Sequence, residues 1–173
     1  MTPQTEITSR TTQSNSPVAR IQDGSHAISL RIAGERYGLF LSAVREIVTL
    51  PRVTRVPNAA EYVSGVINLH GEVLPVLDLA RRFHIGETEI TGLSRIVVIE
   101  SADETVGILA TEVGKVVRIA AAALQPPPSL VAGIAAEFID GVLPTDEGFV
   151  VFLNVDRTLR VDDQDEVSRG HED

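Results

Sequence analysis

The sequence predicts an all-β fold with a few short helices, organised as two lobes of similar plan. Three observations carry that prediction. Residues 65–79 read as two apolar strands joined by a tight turn. Ile28, Leu30 and Ile32 alternate with Ser29 and Arg31, the period of a strand with one buried face. Intervals between glycines and valines in the first half of the chain then recur in the second.

Taken in order, residues 2–16 are dominated by Thr, Ser and Gln, and 1–25 is expected to be a disordered leader. The Ile28–Ile32 strand should turn at Gly34-Glu35-Arg36 into Tyr37-Gly38-Leu39-Phe40-Leu41. Ser42 is placed to cap a short helical turn carrying Val44 and Ile47. Asn58, three residues before Glu61, has the spacing of a capping box for a short helix through Tyr62. In the hairpin, His70-Gly71 suits a two-residue turn because Gly accepts positive φ. Pro75 donates no ladder hydrogen bond, so its strand is expected at a sheet edge or with a bulge at Pro75. Asp78 can cap a further short helix, with Leu79 and Phe83 on one face and Gly86 as its stop.

The echo is numerical. Gly38 stands six residues before Val44 and nine before Ile47; Gly107 stands six before Val113 and nine before Val116. Gly65 precedes Asp78 by thirteen residues, as Gly141 precedes Asn154. Two lobes of one plan explain these intervals, and so does chance in a Val-rich chain.

Composition narrows the function. A chain of 173 residues can bury a core without staples, and the absence of cysteine excludes disulfides and thiolate zinc sites. No apolar run in residues 1–23 has signal-peptide length, and none elsewhere reaches the ~20 residues of a spanning helix, so a cytoplasmic protein without membrane insertion is expected. The net charge is −9, with seven acids against three arginines in 156–173. Such a balance repels a phosphate backbone, and the two tyrosines and five phenylalanines give little stacking surface, so no nucleic-acid partner is expected. Arg31, Arg36, Arg45, Arg52 and Arg55 make 31–55 locally basic, either a rim for an acidic helix or solvent-facing strand positions. The acidic segment 161–173 reads as a solvated tail.

Catalytic patterns are missing. The chain has no phosphate-binding G-x-x-x-x-G-K-[ST] loop, G-x-S-x-G elbow or H-E-x-x-H pair, and His26, His70, His84 and His171 lack ligand spacing. Asp103-Glu104 and Asp146-Glu147 sit beside turn signals, as solvated charges do. No enzyme, cofactor or metal is expected.

The ordered set Gly65-Val66-Ile67-Asn68-Leu69-His70-Gly71 and Pro75-Val76-Leu77-Asp78-Leu79 resembles the signature of the CheW-like chemotaxis coupling proteins, a G-V-x-N-L-R-G hairpin followed by P-V-x-D-L. Tyr37-Gly38, Val44-Arg45-Glu46-Ile47, Pro57, Val106-Gly107-Ile108 and Leu153 extend the resemblance over roughly residues 26–160. His70 stands where the family usually has arginine.

The resemblance implies two five-stranded SH3-like barrels sharing an apolar core, approximately 26–92 and 93–160 with some strand exchange, followed by the 161–173 tail. It implies a non-catalytic adaptor, monomeric in solution, that couples the cytoplasmic tip helices of chemoreceptors to the regulatory domain of a CheA-type histidine kinase. A receptor scaffold that recruits no kinase is the alternative. Carried over by position, the receptor side comprises Val44, Glu46, Gly65, His70 and Val116. Plain core packing also accounts for Val44 and Val116, a solvated helix face for Glu46, and backbone geometry for Gly65. On the kinase side, Leu124-Gln125-Pro126-Pro127-Pro128 and Leu130 match a family loop of type I-R-P-x-P with a following aromatic, which implicates Gln125, Pro126 and Leu130; here Gln125 lacks the charge and Leu130 the ring. A neutral imidazole at position 70 also lacks arginine's permanent forked charge, which points to a variant receptor or a weaker grip on a common one.

Overall fold

The computed structural model describes residues 25–101, 104–128, 130–131 and 134–159; the expected leader, apart from Ser25, and the acidic tail lie outside them. The described residues form twelve strands: β1 (Ser25–Ile32), β2 (Glu35–Phe40), β3 (Val44–Thr49), β4 (Val63–Leu69), β5 (Glu72–Leu77), β6 (Arg95–Ser101), β7 (Glu104–Ala110), β8 (Glu112–Ile119), β9 (Leu130–Val131), β10 (Ile134–Ala135), β11 (Ile139–Thr145) and β12 (Gly148–Leu153). Two short helices, α1 (Leu79–Arg82) and α2 (Val155–Leu159), follow β5 and β12. Strands dominate because these segments are rich in β-branched and aromatic residues, as in Arg95–Ser101 and Gly148–Leu153.

Two five-stranded sheets carry the architecture, ordered β3-β6-β7-β5-β4 and β11-β12-β2-β1-β8, beside a β9-β10 hairpin. Each sheet draws strands from both sides of the 26–92 and 93–160 boundary, where some strand exchange was expected. Residues 44–110 supply one sheet, while 25–40 join 112–153 in the other. The repeat nonetheless follows the spacing of the glycines: β1-β2-β3-β4-β5-α1 has the same plan as β6-β7-β8-β11-β12-α2. Each repeat lends its first hairpin to the other repeat's sheet. The exchange is sealed by two matching parallel pairings, Val76 beside Gly107 and Phe152 beside Gly38. A cut in the sequence cannot separate lobes whose strands pair across it.

Both sheets close into SH3-like barrels by the same device. After β3 the chain returns to the far edge of its sheet, where Thr54 and Val66 exchange backbone hydrogen bonds of 2.9 and 2.8 Å. After β8, Gln125 does the same with Val142, both at 2.9 Å.

Strand alternation distributes apolar side chains among three clusters. In β6, Ile96 and Val98 face the interior of the first barrel with Ile67, Leu74, Val76 and Leu109. Val97 and Ile99 face the other way, into a core shared with Ile28, Leu30, Ile32, Tyr37 and Leu39 of the second barrel. Ala27, Ile119, Leu124, Val150 and Phe152 fill the second barrel. The barrels are therefore joined by buried apolar surface, at about 25 cal/mol per Å² removed from water. Arg82 reinforces the seam: its guanidinium lies 4.8 Å from the Tyr62 ring, which leads into β4, and 5.4 Å from the Phe138 ring, which leads into β11.

Several local expectations need correction. The Ser42 segment is a single 3-10 turn over Leu41–Ala43 without a side-chain cap, and Val44 and Ile47 lie on strand β3. Val44, Ile47 and Val48 are β-branched, and pairing with β6 outweighs the weak local cap. Asn58 starts no helix; its φ of 61° places it in a turn instead. The first turn falls at Ala33-Gly34, both with positive φ, one residue before the expected position. Pro75 is not on an edge strand, since β5 lies between β4 and β7, and the irregularity of the pair falls opposite Val63 and Gly65. The proline is tolerated because its partner Val66 spends its own N–H and C=O on Thr54, while pairing with β7 begins only at Val76. Asp78 does cap α1, accepting from the Ala80 N–H at 3.0 Å.

Candidate functional site

The β4–β5 hairpin and β3 meet at an exposed corner. Asn68 Oδ1 accepts from the Gly71 N–H at 3.1 Å, and His70 and Gly71 adopt φ of 52° and 83°, which defines a two-residue turn of type I′ geometry. Asn favours such turns because its side chain satisfies local backbone, and this orients the tip. The imidazole of His70 is thereby carried to Glu46 of β3, with Nε2 2.9 Å from Oε1. A second contact lies beside it: Arg45 Nη1 donates to Glu72 Oε2 at 3.3 Å.

Alternation along β3 sets what this corner displays. Arg45 and Ile47 point to solvent, while Val44, Glu46 and Val48 are half-buried. A register shift between Val44 and Glu46 lets Val44 pack on the shared core and Val48 on that of the first barrel. Glu46 is thus held on a supported strand with 30% of its side chain exposed, against 73% for His70. Exposed apolar side chains on the same two strands are Ile47 of β3 and Val73 of β5, 40% and 64% exposed. Exposed apolar and charged side chains on adjoining strands can anchor a partner's side chains.

Of the positions singled out from sequence, Glu46 and His70 are in contact, and Val44 lies on the same strand. Gly65 belongs to the same barrel but is buried in β4. Its φ is +152°, and a Cβ there would collide with the Thr54 carbonyl oxygen, so it acts through the backbone of the barrel closure. Val116 is on β8 of the other sheet, opposite Ile28, and is 54% exposed, so core packing does not account for it. The positions assigned to the kinase side lie apart from the corner in the fold. Gln125 is exposed while its backbone closes the second barrel; Pro126 is exposed; Leu130 opens β9 opposite Ala135.

Sequence reasoning missed Arg45–Glu72 and the exposed Val73. The signal for Val73 was present: with Leu74 and Val76 facing the barrel interior, alternation turns Val73 outward. The repeat places Phe149, 66% exposed, in the corresponding position of the second hairpin, and Val116 in the position corresponding to Ile47. Among the described residues no group of three or more His, Cys, Asp or Glu is arranged to hold a metal ion. None of their helices is long and apolar enough to cross a membrane.

With this geometry in view, the relatives are consistent. The family model described as CheW-like domain matches residues 26–163. The chain is 29% identical over 143 residues to the chemotaxis protein CheW of Treponema pallidum, covering 80% of this chain and 84% of that protein. It is 32% identical over 141 residues to Protein FrzA of Myxococcus xanthus, covering 80% and 88%. Among solved structures, the scaffolding protein TtCheW from Thermoanaerobacter tengcongensis matches with a TM-score of 0.75 at 29% identity, over 83% of this chain and 92% of that one.

Proposed function

This chain belongs to the CheW-like family of chemotaxis adaptor and scaffold proteins, and from that premise we propose that it couples chemoreceptor tips to a CheA-type histidine kinase. The observation that carries the reading is the exposed corner where His70 of the β4–β5 turn meets Glu46 of β3, on strands that also expose Ile47 and Val73. Such a surface suits a helix that presents apolar anchors on one face and polar groups at its margin. In this reading the receptor helices lie across Val44, Glu46, His70 and Val116, and Gly65 shapes the barrel beneath them. Gln125, Pro126 and Leu130 belong to a separate kinase contact. The chain catalyses nothing; its work is a coupling free energy between two bound partners. It acts in the cytoplasm as a monomer, with residues 26–160 as the working unit, no cofactor, and no nucleic-acid or membrane contact of its own.

The test is a reconstitution with a receptor-tip fragment and the kinase regulatory domain encoded in the same genome. Calorimetry should show each binding alone and both binding together. Receptor binding without kinase binding would establish the scaffold alternative. Binding of neither partner would end the adaptor reading.

A further inference from the structure

Residues 31–55 are a basic stretch in a chain whose net charge is −9, with five arginines against two glutamates. The fold gives these arginines different surroundings. Arg36 is taken up by Glu147 of the second sheet's β11–β12 turn, at 2.7 Å. Arg45 holds Glu72 at 3.3 Å with both side chains partly exposed, which makes a weak pair. Arg52 and Arg55 are exposed and have no ion-pair or hydrogen-bond partner among the described residues. Their backbone is fixed all the same: Leu50 and Val53 pack on the core of the first barrel, and Thr54 exchanges hydrogen bonds with Val66. Ile47 and Val56 add apolar surface to this stretch, 40% and 44% exposed.

The chain's own counter-charge follows the last described residue, on the same side of the fold. Helix α2 begins beside the end of β6, where the Ser101 hydroxyl donates to Asp156. Leu159 belongs to the shared core with Ile99, whose strand partner is Val44 of β3. Residues 160–173 come next, with six acids against two arginines. In an extended chain Val161, Asp163, Asp165 and Val167 would share one side, two acids between two valines. These fourteen residues span up to roughly 46 Å, more than twice the ~20 Å length of β3, so reach is no obstacle.

We propose that the acidic segment 161–167 docks in cis on the arginine-bearing surface of β3 and the connection after it, pairing with Arg45, Arg52 and Arg55. Each exposed pair is weak, but tethering supplies an effective concentration of order millimolar, and several pairs formed together hold the segment. Val161 and Val167 find apolar contact in Ile47 and Val56. Lys115 and Arg118 of β8 offer another exposed basic edge. The position of α2 favours β3, because α2 meets β6 and β6 pairs with β3, whereas β8 pairs with β1 in the other sheet. An acidic helix that approaches β3 then meets these arginines only by displacing the segment. None of this depends on the adaptor reading.

The experiment is partner-free. The chain has no cysteine, so Ser168→Cys gives a single site for a nitroxide spin label in the full chain. At roughly 50 mM salt, where the Debye length is above about 10 Å, the label should selectively broaden the amide signals of residues 45–49 and 52–56. Salt of about 1 M, which shortens that length to about 3 Å, should restore them. Charge removal should do the same, either by Asp162→Asn, Asp163→Asn, Asp165→Asn and Glu166→Gln combined, or by Arg52→Gln with Arg55→Gln. Broadening centred on residues 115–118, broadening indifferent to salt and to charge removal, or none that is residue-specific overturns the proposal. Broadening of an isotope-labelled copy without the nitroxide, mixed with the spin-labelled chain, reports docking between copies and overturns it too.

Discussion

Gly38 of β2 lies directly against the ring of Phe152 of β12, where a Cβ would stand 2.7 Å from the nearest ring carbons. The contact sits on one of the two parallel pairings by which the repeats exchange hairpins. The other has the same character: a Cβ on Gly107 would stand 2.6 Å from Ile96 Cγ2.

Gly38→Ala should therefore loosen the exchange. Phe152 is 1% exposed, so overpacking of about 1–3 kcal/mol is expected. Urea unfolding reads it as a lower midpoint at unchanged slope. A variant as stable as wild type would mean that the two sheets slide apart more easily than their packing indicates.

Gly65→Ala should cost roughly 2 kcal/mol or more, since it combines positive φ with a collision against the Thr54 carbonyl oxygen. The bonds between Thr54 and Val66 that close the first barrel should exchange their amide hydrogens faster. If partner affinity fell in this variant with stability and exchange untouched, Gly65 would be a direct contact and its structural role would be secondary.

Asp78 is 3% exposed and holds two segments at once. It accepts from the Ala80 N–H at 3.0 Å, the Thr88 N–H at 3.1 Å and the Thr88 hydroxyl at 2.5 Å. Asp78→Ala strands buried donors and should cost about 3 kcal/mol, whereas Thr88→Val, which removes one hydroxyl donor, should cost about 1 kcal/mol. Thermal unfolding that ranks the two in the opposite order would contradict this assignment.

Tyr37 supplies a pH signature. Burial, with a smaller contribution from the charge of Glu35, pushes its phenol from 10.0 up to about 12. The folded chain keeps this proton after the unfolded chain has released it, so stability is whole below pH 10 and lost as pH rises toward 12, at about 1.4 kcal/mol per pH unit at the steepest. The hydroxyl has no hydrogen-bond partner among the described residues. Tyr37→Phe should accordingly be as stable as wild type near neutrality and lose this alkaline component. A phenylalanine variant with the wild-type alkaline profile would assign the loss to other groups.

Much of the local structure was legible. The hairpin turn at His70-Gly71, the cap at Asp78 and the strand alternation of Ile28, Leu30 and Ile32 depend on neighbours a few residues apart, and each appears in the fold. The Ser42 and Asn58 helices failed because a capping residue is a weak signal: pairing of β3 with β6 and the turn at Asn58 decided those segments. Pro75 was misplaced for a related reason. Whether a missing N–H matters depends on which side of the strand has a partner, and that partner, β7, comes from the other repeat.

By itself the chain determined its strand-rich class, its family and its internal duplication, since turn chemistry and glycine spacing are written in short intervals. Tertiary structure alone decided which strands the duplicated units trade, that Val116 reaches solvent, and that His70 finds Glu46 across a sequence separation of 24 residues. The physical reason is that β-sheet partners are chosen by burial of two faces at once. That choice is made between segments far apart in the chain, where no local pattern records it.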